Sequence, residues 1–211
     1  MSEPTPARHR GLEPEDEARA GFYALLGRLY AGAPDGALLA LVARADPLAP
    51  AVAVDTAATE LAQAWERLRS ASAATAPEAA ADEYQALFVG VGRSEVSPYA
   101  SHYLAPHSGR PLAEIRAALA ALGIARRPES SQFEDHIAVM LETMRMLAAG
   151  DAERPPAAIA EQREFFEKYI GPWVFECCAA ITKTSVARYY GAVAEFTHRF
   201  LALERDSFAM D

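Results

Sequence analysis

Apolar residues recur at helical spacing along almost the whole chain. In Glu15–Tyr30, Phe22, Leu25, Leu26 and Leu29 form one stripe, and Gly32 and Pro34 end it. Asp35 can cap a short helix running to about Arg44, before Asp46-Pro47 breaks the chain. Asp55–Ser70 carries Leu61, Trp65 and Leu68. Thr75 and Pro77 start a further helix to about Phe88, with Tyr84, Leu87 and Phe88 on its apolar side. Pro111–Leu122 shows Leu112, Ile115, Leu119 and Leu122 on one face, and Gly123 supplies its cap. The clearest amphipathic pattern is Phe133–Ala149, preceded by Ser130/Ser131. It places Phe133, Ile137, Met140, Leu141, Met144 and Leu147 together, and Gly150 ends it. Pro155/Pro156 are expected to open a helix to about Tyr169. Gly171-Pro172 forces a bend into a short helix with Trp173, Val174, Phe175 and Ile181. Thr184 or Ser185 is expected to cap the last helix, whose buried stripe is Val186, Tyr189, Tyr190, Val193, Phe196 and Phe200.

No internal repeat and no strand-like alternation stands out. The pattern predicts an all-α, single-domain helical bundle of about eight or nine helices over residues 14–211, behind a disordered tail at residues 1–13. One segment breaks the rhythm. Gly90–Arg110 holds three glycines, Pro98 and Pro106, and no sustained period. A long irregular loop inside a compact domain is more often functional than not. Tyr99 and Tyr103 lie in it, outside any helical stripe, where aromatic rings are free to meet a partner.

Composition agrees with the pattern. The chain has 211 residues, enough for one proper core, and 51% are hydrophobic, which excludes general disorder. Much of that share is alanine, the best helix former. The net charge of −9 repels phosphate backbones, so nucleic acid is excluded as a partner, and a basic polypeptide is favoured. Acidity of this order also serves plain solubility. No apolar run reaches the ~18 residues of a membrane span, so no stable membrane insertion is expected. Arg8 and Arg10 precede acidic residues rather than an apolar core, so the start does not read as a secretory signal. The two cysteines, Cys177 and Cys178, are adjacent. They cannot build a disulfide framework, and they read as small packing residues in a reducing cytoplasm.

Catalytic motifs are hard to find. There is no phosphate-binding loop, dinucleotide fingerprint or nucleophile elbow. Gly90-Val91-Gly92 follows a helix rather than a strand, and His102 and His107 lack further metal ligands nearby. Asp135-His136 falls in the first turn of the strongest helix. On spacing alone it reads as an N-terminal charge beside a core-edge histidine.

Three segments, in order, resemble one family. Asp82-Glu83-Tyr84-Gln85-Ala86-Leu87-Phe88-Val89-Gly90, followed by Pro98-Tyr99-Ala100-Ser101-His102-Tyr103, is similar to the "E-Y-x-x-L-F-x-G-P … P-Y-E-S-x-Y" signature of the TorD/DmsD/NarJ molybdoenzyme maturation chaperones. Glu134-Asp135-His136-Ile137 through Met144 resembles that family's Pro-Asp-His helix start. Phe165-Phe166 and Gly171-Pro172-Trp173 resemble the opening of its last helical pair. The resemblance covers about residues 15–205. Val91, Ala100, Glu134, Tyr169 and Ile170 depart from the pattern; Ala100 stands where a glutamate is usual.

The resemblance implies a cytoplasmic chaperone and not an enzyme. Its partners would be the twin-arginine-type signal peptide and the apo catalytic subunit of a molybdoenzyme, held until cofactor insertion. The molybdopterin guanine dinucleotide would belong to the client, and the chain itself would need no cofactor. Family members have been suggested to bind guanine nucleotides weakly. The implied peptide-binding residues are Glu83, Tyr84, Leu87, Phe88, Gly90, Pro98, Tyr99, Ser101, Tyr103, Asp135, His136, Met140 and Glu142. Carboxylates suit the signal's arginines, and an apolar groove suits its helix. Two alternatives stay open: an assembly factor for a non-exported membrane-bound reductase, and a nucleotide-binding hydrolase using Asp135, His136 and the Gly90-Val91-Gly92 fragment. The chain would be a monomer or a domain-swapped dimer, with the segment after Gly90 as hinge.

Overall fold

A computed structural model describes residues 13–48, 56–90, 94–105, 108–125, 132–151 and 154–210. Residues 1–12 of the tail expected over 1–13, the Val91-Gly92 part of the glycine fragment, His107 and Ser130/Ser131 lie outside them. The helices are α1 (Pro14–Ala31), α2 (Gly36–Arg44), α3 (Thr56–Ala74), α4 (Pro77–Tyr84), α5 (Ala100–Leu104), α6 (Arg110–Ala121), α7 (Ile137–Ala149), α8 (Ile159–Tyr169), α9 (Gly171–Lys183) and α10 (Tyr189–Phe208). The all-α expectation holds, with ten helices among the described residues instead of about eight or nine. Tyr99 and His136 form an isolated antiparallel bridge.

Two pairings organise the bundle. α1 lies along α7, and α10 packs between α3 and α9. The apolar stripes read from the sequence meet in one core. Phe22 of α1 sets its ring edge-on against Trp65 of α3 and against Phe196 and Phe200 of α10, at centroid distances of 5.1–5.5 Å. A buried polar knot locks α1 to α10. Arg19 donates to both oxygens of Glu204 at 2.8 Å, and the Tyr23 hydroxyl donates to the same carboxylate at 2.9 Å. Pairing with Glu204 raises the Arg19 pKa, so the guanidinium keeps its charge in the core.

Four local expectations are corrected. α7 begins at Ile137 rather than Phe133, because the His136 ring nitrogen Nδ1 accepts from Ala138 N at 3.1 Å and caps the helix there. Phe133 falls outside the stripe and is 50% exposed. α8 begins at Ile159, not at Pro155/Pro156. Gly150 turns the chain with φ +70°, and a Cβ there would lie 2.8 Å from Pro155 C and Pro156 N. The prolines belong to that turn, and the chain re-enters through Ala157 N donating to Leu147 O at 2.8 Å. α10 begins at Tyr189, leaving Val186 40% exposed; neither Thr184 nor Ser185 caps it. Finally, α5 interrupts the segment expected to be irregular from 90 to 110.

Candidate functional site

The first motif acts as a fastener. The Glu83 carboxylate accepts from Tyr190 N at 2.7 Å and Tyr189 N at 3.1 Å. It therefore caps α10, 107 positions away, and opposes that helix's positive end. The Tyr84 hydroxyl donates to Tyr30 O at 3.2 Å, and Tyr190 donates to Leu29 O at 3.0 Å. Both occupy carbonyls that the end of α1 leaves open. The chain then widens into a π turn over Gln85–Val89, closed by Gly90 N donating to Gln85 O at 2.7 Å. Gly90 has φ +63° and ψ +162°, a conformation essentially confined to glycine, so the motif's glycine is a backbone requirement. Leu87 is fully buried. Phe88 packs against Tyr30, Tyr84 and Tyr190 with ring centroids 5.2–6.1 Å apart.

The second and third motif segments meet each other. Ile137 N donates to Pro98 O and Ala100 N to Asp135 O, both at 2.9 Å. The Asp135 carboxylate then accepts from Ser101 N at 3.1 Å, at the start of α5. Asp135 and His136 are 1% and 3% exposed. Neither stands in the first turn of α7; they form a joint between α5 and α7. The Tyr99 ring lies edge-on to His136 at 4.9 Å and tilts against Phe133 at 6.4 Å. Tyr103 donates to Ser97 O at 2.9 Å and stacks on Trp173 of α9 at 5.7 Å.

His136 has one chemical assignment. Nδ1 is an acceptor, so the neutral ring carries its proton on Nε2. Burial lowers its pKa to about 4. Such an imidazole is a poor general base near neutrality. The thiols are equally quiet: burial pushes Cys177 up to about 12 and raises Cys178 as well. Among the described residues no group of His, Cys, Asp and Glu could hold a metal ion. No helix among them is long and apolar enough to cross a membrane.

Met140 is fully buried in the core, and Glu142 points the other way, half-exposed, pairing with Arg145 at 2.8 Å. Glu142 faces a groove of about 660 Å³ between α1, α6 and α7. Gly27, Ala31, Leu119, Ile124, Ala138, Val139 and Met146 give it an apolar lining. Glu134, Glu142, Arg28 and Arg154 are its charged residues. Arg154 is held by Asp151 and by the Leu122 carbonyl. Glu134 is gripped by Arg116 of α6 through two bonds of 2.9 Å. Of the residues expected to bind a peptide, only Glu142 lines this groove. Asp135 and His136 sit immediately beside it through their neighbours Glu134 and Ala138. Sequence reading noted Glu134 only as a departure from the family pattern and missed Arg28, Leu119 and Arg116. The one signal for Leu119 and Arg116 was the α6 stripe, which sets Leu119 a turn beyond Arg116; Arg28, on α1, had none. Ala100, another of the departures, is fully buried as the first residue of α5, and a glutamate there would have to displace packed neighbours.

The profile of a family described as nitrate reductase delta subunit matches residues 54–179, more than half of the chain. A probable Tat proofreading chaperone DmsD of Haemophilus influenzae is 30% identical over 123 residues, which are 57% of this chain and 57% of that protein. The chaperone protein TorD of Shewanella loihica is 28% identical over 205 residues, 90% of this chain and 93% of that protein. The motif segments, the all-helical fold and these matches agree: the chain belongs to the nitrate reductase delta subunit family, the TorD/DmsD/NarJ family of chaperones.

Proposed function

We propose that this protein is a chaperone that binds the N-terminal, twin-arginine-type signal region of a molybdenum-containing oxidoreductase and holds the apo subunit for cofactor insertion. The observation that carries the reading is the groove between α1, α6 and α7. It joins an apolar lining to the carboxylates of Glu134 and Glu142. A signal region offers the complement, guanidinium groups followed by an apolar helix. Phe133 and Tyr99, exposed and half-buried beside the joint, extend the apolar surface. The role places the protein in the cytoplasm and calls for no cofactor or catalytic residue of its own.

Calorimetric titration with a twin-arginine signal peptide tests this. Glu142→Lys and Phe133→Ser change exposed side chains, so stability should hold within about 0.5 kcal/mol. Each should weaken binding, by about tenfold for the charge reversal. Wild-type affinity in both variants would remove the groove from the binding site. The family description names a nitrate reductase subunit, and with it we propose a second reading, an assembly factor for a reductase that is not exported. A client N-terminus without paired arginines that binds as tightly would select it.

A further inference from the structure

We propose that Arg116 is a resident latch on Glu134, and that an arginine of the client takes its place. This rests on the groove reading above. The Glu134 side chain is only 11% exposed, whereas that of Arg116 is 54% exposed. Both guanidinium contacts are 2.9 Å, the paired geometry in which a planar fork meets a carboxylate. Asp135 adds to the same field: its charge, after that of Glu134, raises the Arg116 pKa. A nearly buried carboxylate next to a second one needs a cation whether or not a client is present. Arg116 supplies it in the free protein.

The two partners differ in how firmly they are held. Glu134 is fixed just before α7 by the joint at Asp135 and His136, and it faces the groove. Arg116 reaches it from the exposed side of α6 on a flexible stem. Glu134 is nearly buried, so Arg116 lets go only as another guanidinium takes over the carboxylate. A guanidinium arriving along the groove finds the carboxylate already oriented and replaces like with like. The exchange leaves affinity to the apolar contacts and makes the site selective. Lysine cannot reproduce the two-pronged contact, so a client ammonium competes poorly with Arg116. Arg116 thus sets a threshold that only an arginine-bearing segment passes.

The test uses the full chain and a fluorescent peptide carrying two adjacent arginines ahead of an apolar segment, beside the same peptide with lysines. Arg116→Ala, and Arg116→Gln, which keeps much of the stem, should bind the arginine peptide about three- to tenfold more tightly. The lysine peptide should gain by a similar factor, because losing an internal competitor helps every segment that pairs with Glu134. Glu134→Gln removes the latch and the client's contact together, so its arginine affinity should stay within about threefold of wild type while the advantage over lysine disappears. If wild type binds and neither Arg116 variant binds more tightly, the latch is refuted while the groove reading stands. If wild type and both Arg116 variants all fail to bind, both ideas fall together.

Discussion

Two carboxylates from the motifs end at helix N-termini, and they do so in unlike settings. Glu83 is half-buried and serves α10 alone, through the amides of Tyr189 and Tyr190. Asp135 is almost fully buried and serves two elements. Its side chain holds α5 through Ser101, while its backbone carbonyl holds Ala100 and the next residue caps α7. No groove-lining residue adjoins Glu83, whereas Glu134 and Ala138 flank the Asp135-His136 joint and line the groove. A motif therefore does not by itself mark a contact surface. Both motifs build the frame; only the second builds it beside the groove.

The largest expected effect separates these roles. Asp135→Lys puts an ammonium where the carboxylate accepts from Ser101, next to no room for relaxation. We expect a loss of about 3–5 kcal/mol in urea unfolding. Weakened peptide binding in that variant would report a damaged joint, not a lost contact. Asp135→Asn keeps an acceptor and should lose only about 1–2 kcal/mol. If lysine is tolerated within about 1 kcal/mol, the joint is not the structural element described here.

The next effect is a pH dependence confined to the same joint. The folded His136 has its pKa lowered to about 4 by burial, against 6.5 when unfolded. Between those values the unfolded chain takes up a proton that the folded chain refuses. The His136 contribution is therefore complete above pH 6.5 and is lost as pH falls towards 4, by up to about 3 kcal/mol. Protonation would also use the lone pair of Nδ1 that receives Ala138 N. His136→Asn retains a capping acceptor without the titration. Melting curves at pH 7.5 and pH 5 should draw closer together in this variant than in wild type. Equal spacing in the two proteins would show that His136 is not the titrating group.

The helices were legible in the sequence because burial has a period. The stripe of α10 from Tyr189 to Phe200 and that of α7 from Ile137 to Leu147 are buried as expected. Their starts were not legible, because the caps come from residues that carry no local signal. Thr184 and Ser185 looked like caps by type, yet α10 is capped by Glu83, 107 positions away, and α7 by a histidine. The groove was hidden for a similar reason. Gly27, Leu119, Glu134 and Met146 share no motif, and only packing of α1, α6 and α7 brings them together. Resemblance pointed at Asp135-His136, which form a joint next to the groove. It gave no means of telling the fastening residues from the surface they hold in place.

The smallest predicted effect falls on the other side of the comparison, at Glu83. Glu83→Ala leaves the first amides of α10 without a charged acceptor and removes a negative charge from the helix's positive end. Water can reach a half-buried site and replace part of the lost interaction, so the expected loss is about 1–2 kcal/mol. Denaturant unfolding measures it. Peptide affinity should stay at the wild-type value, because nothing in the groove leans on this cap. The paired readout matters more than either number. A variant with unchanged stability and abolished binding would place Glu83 among the contacts, and the contrast between the two carboxylates would be gone. A modest stability loss with intact binding separates them: Glu83 would be a fastener far from the client, and Asp135 a fastener beside it.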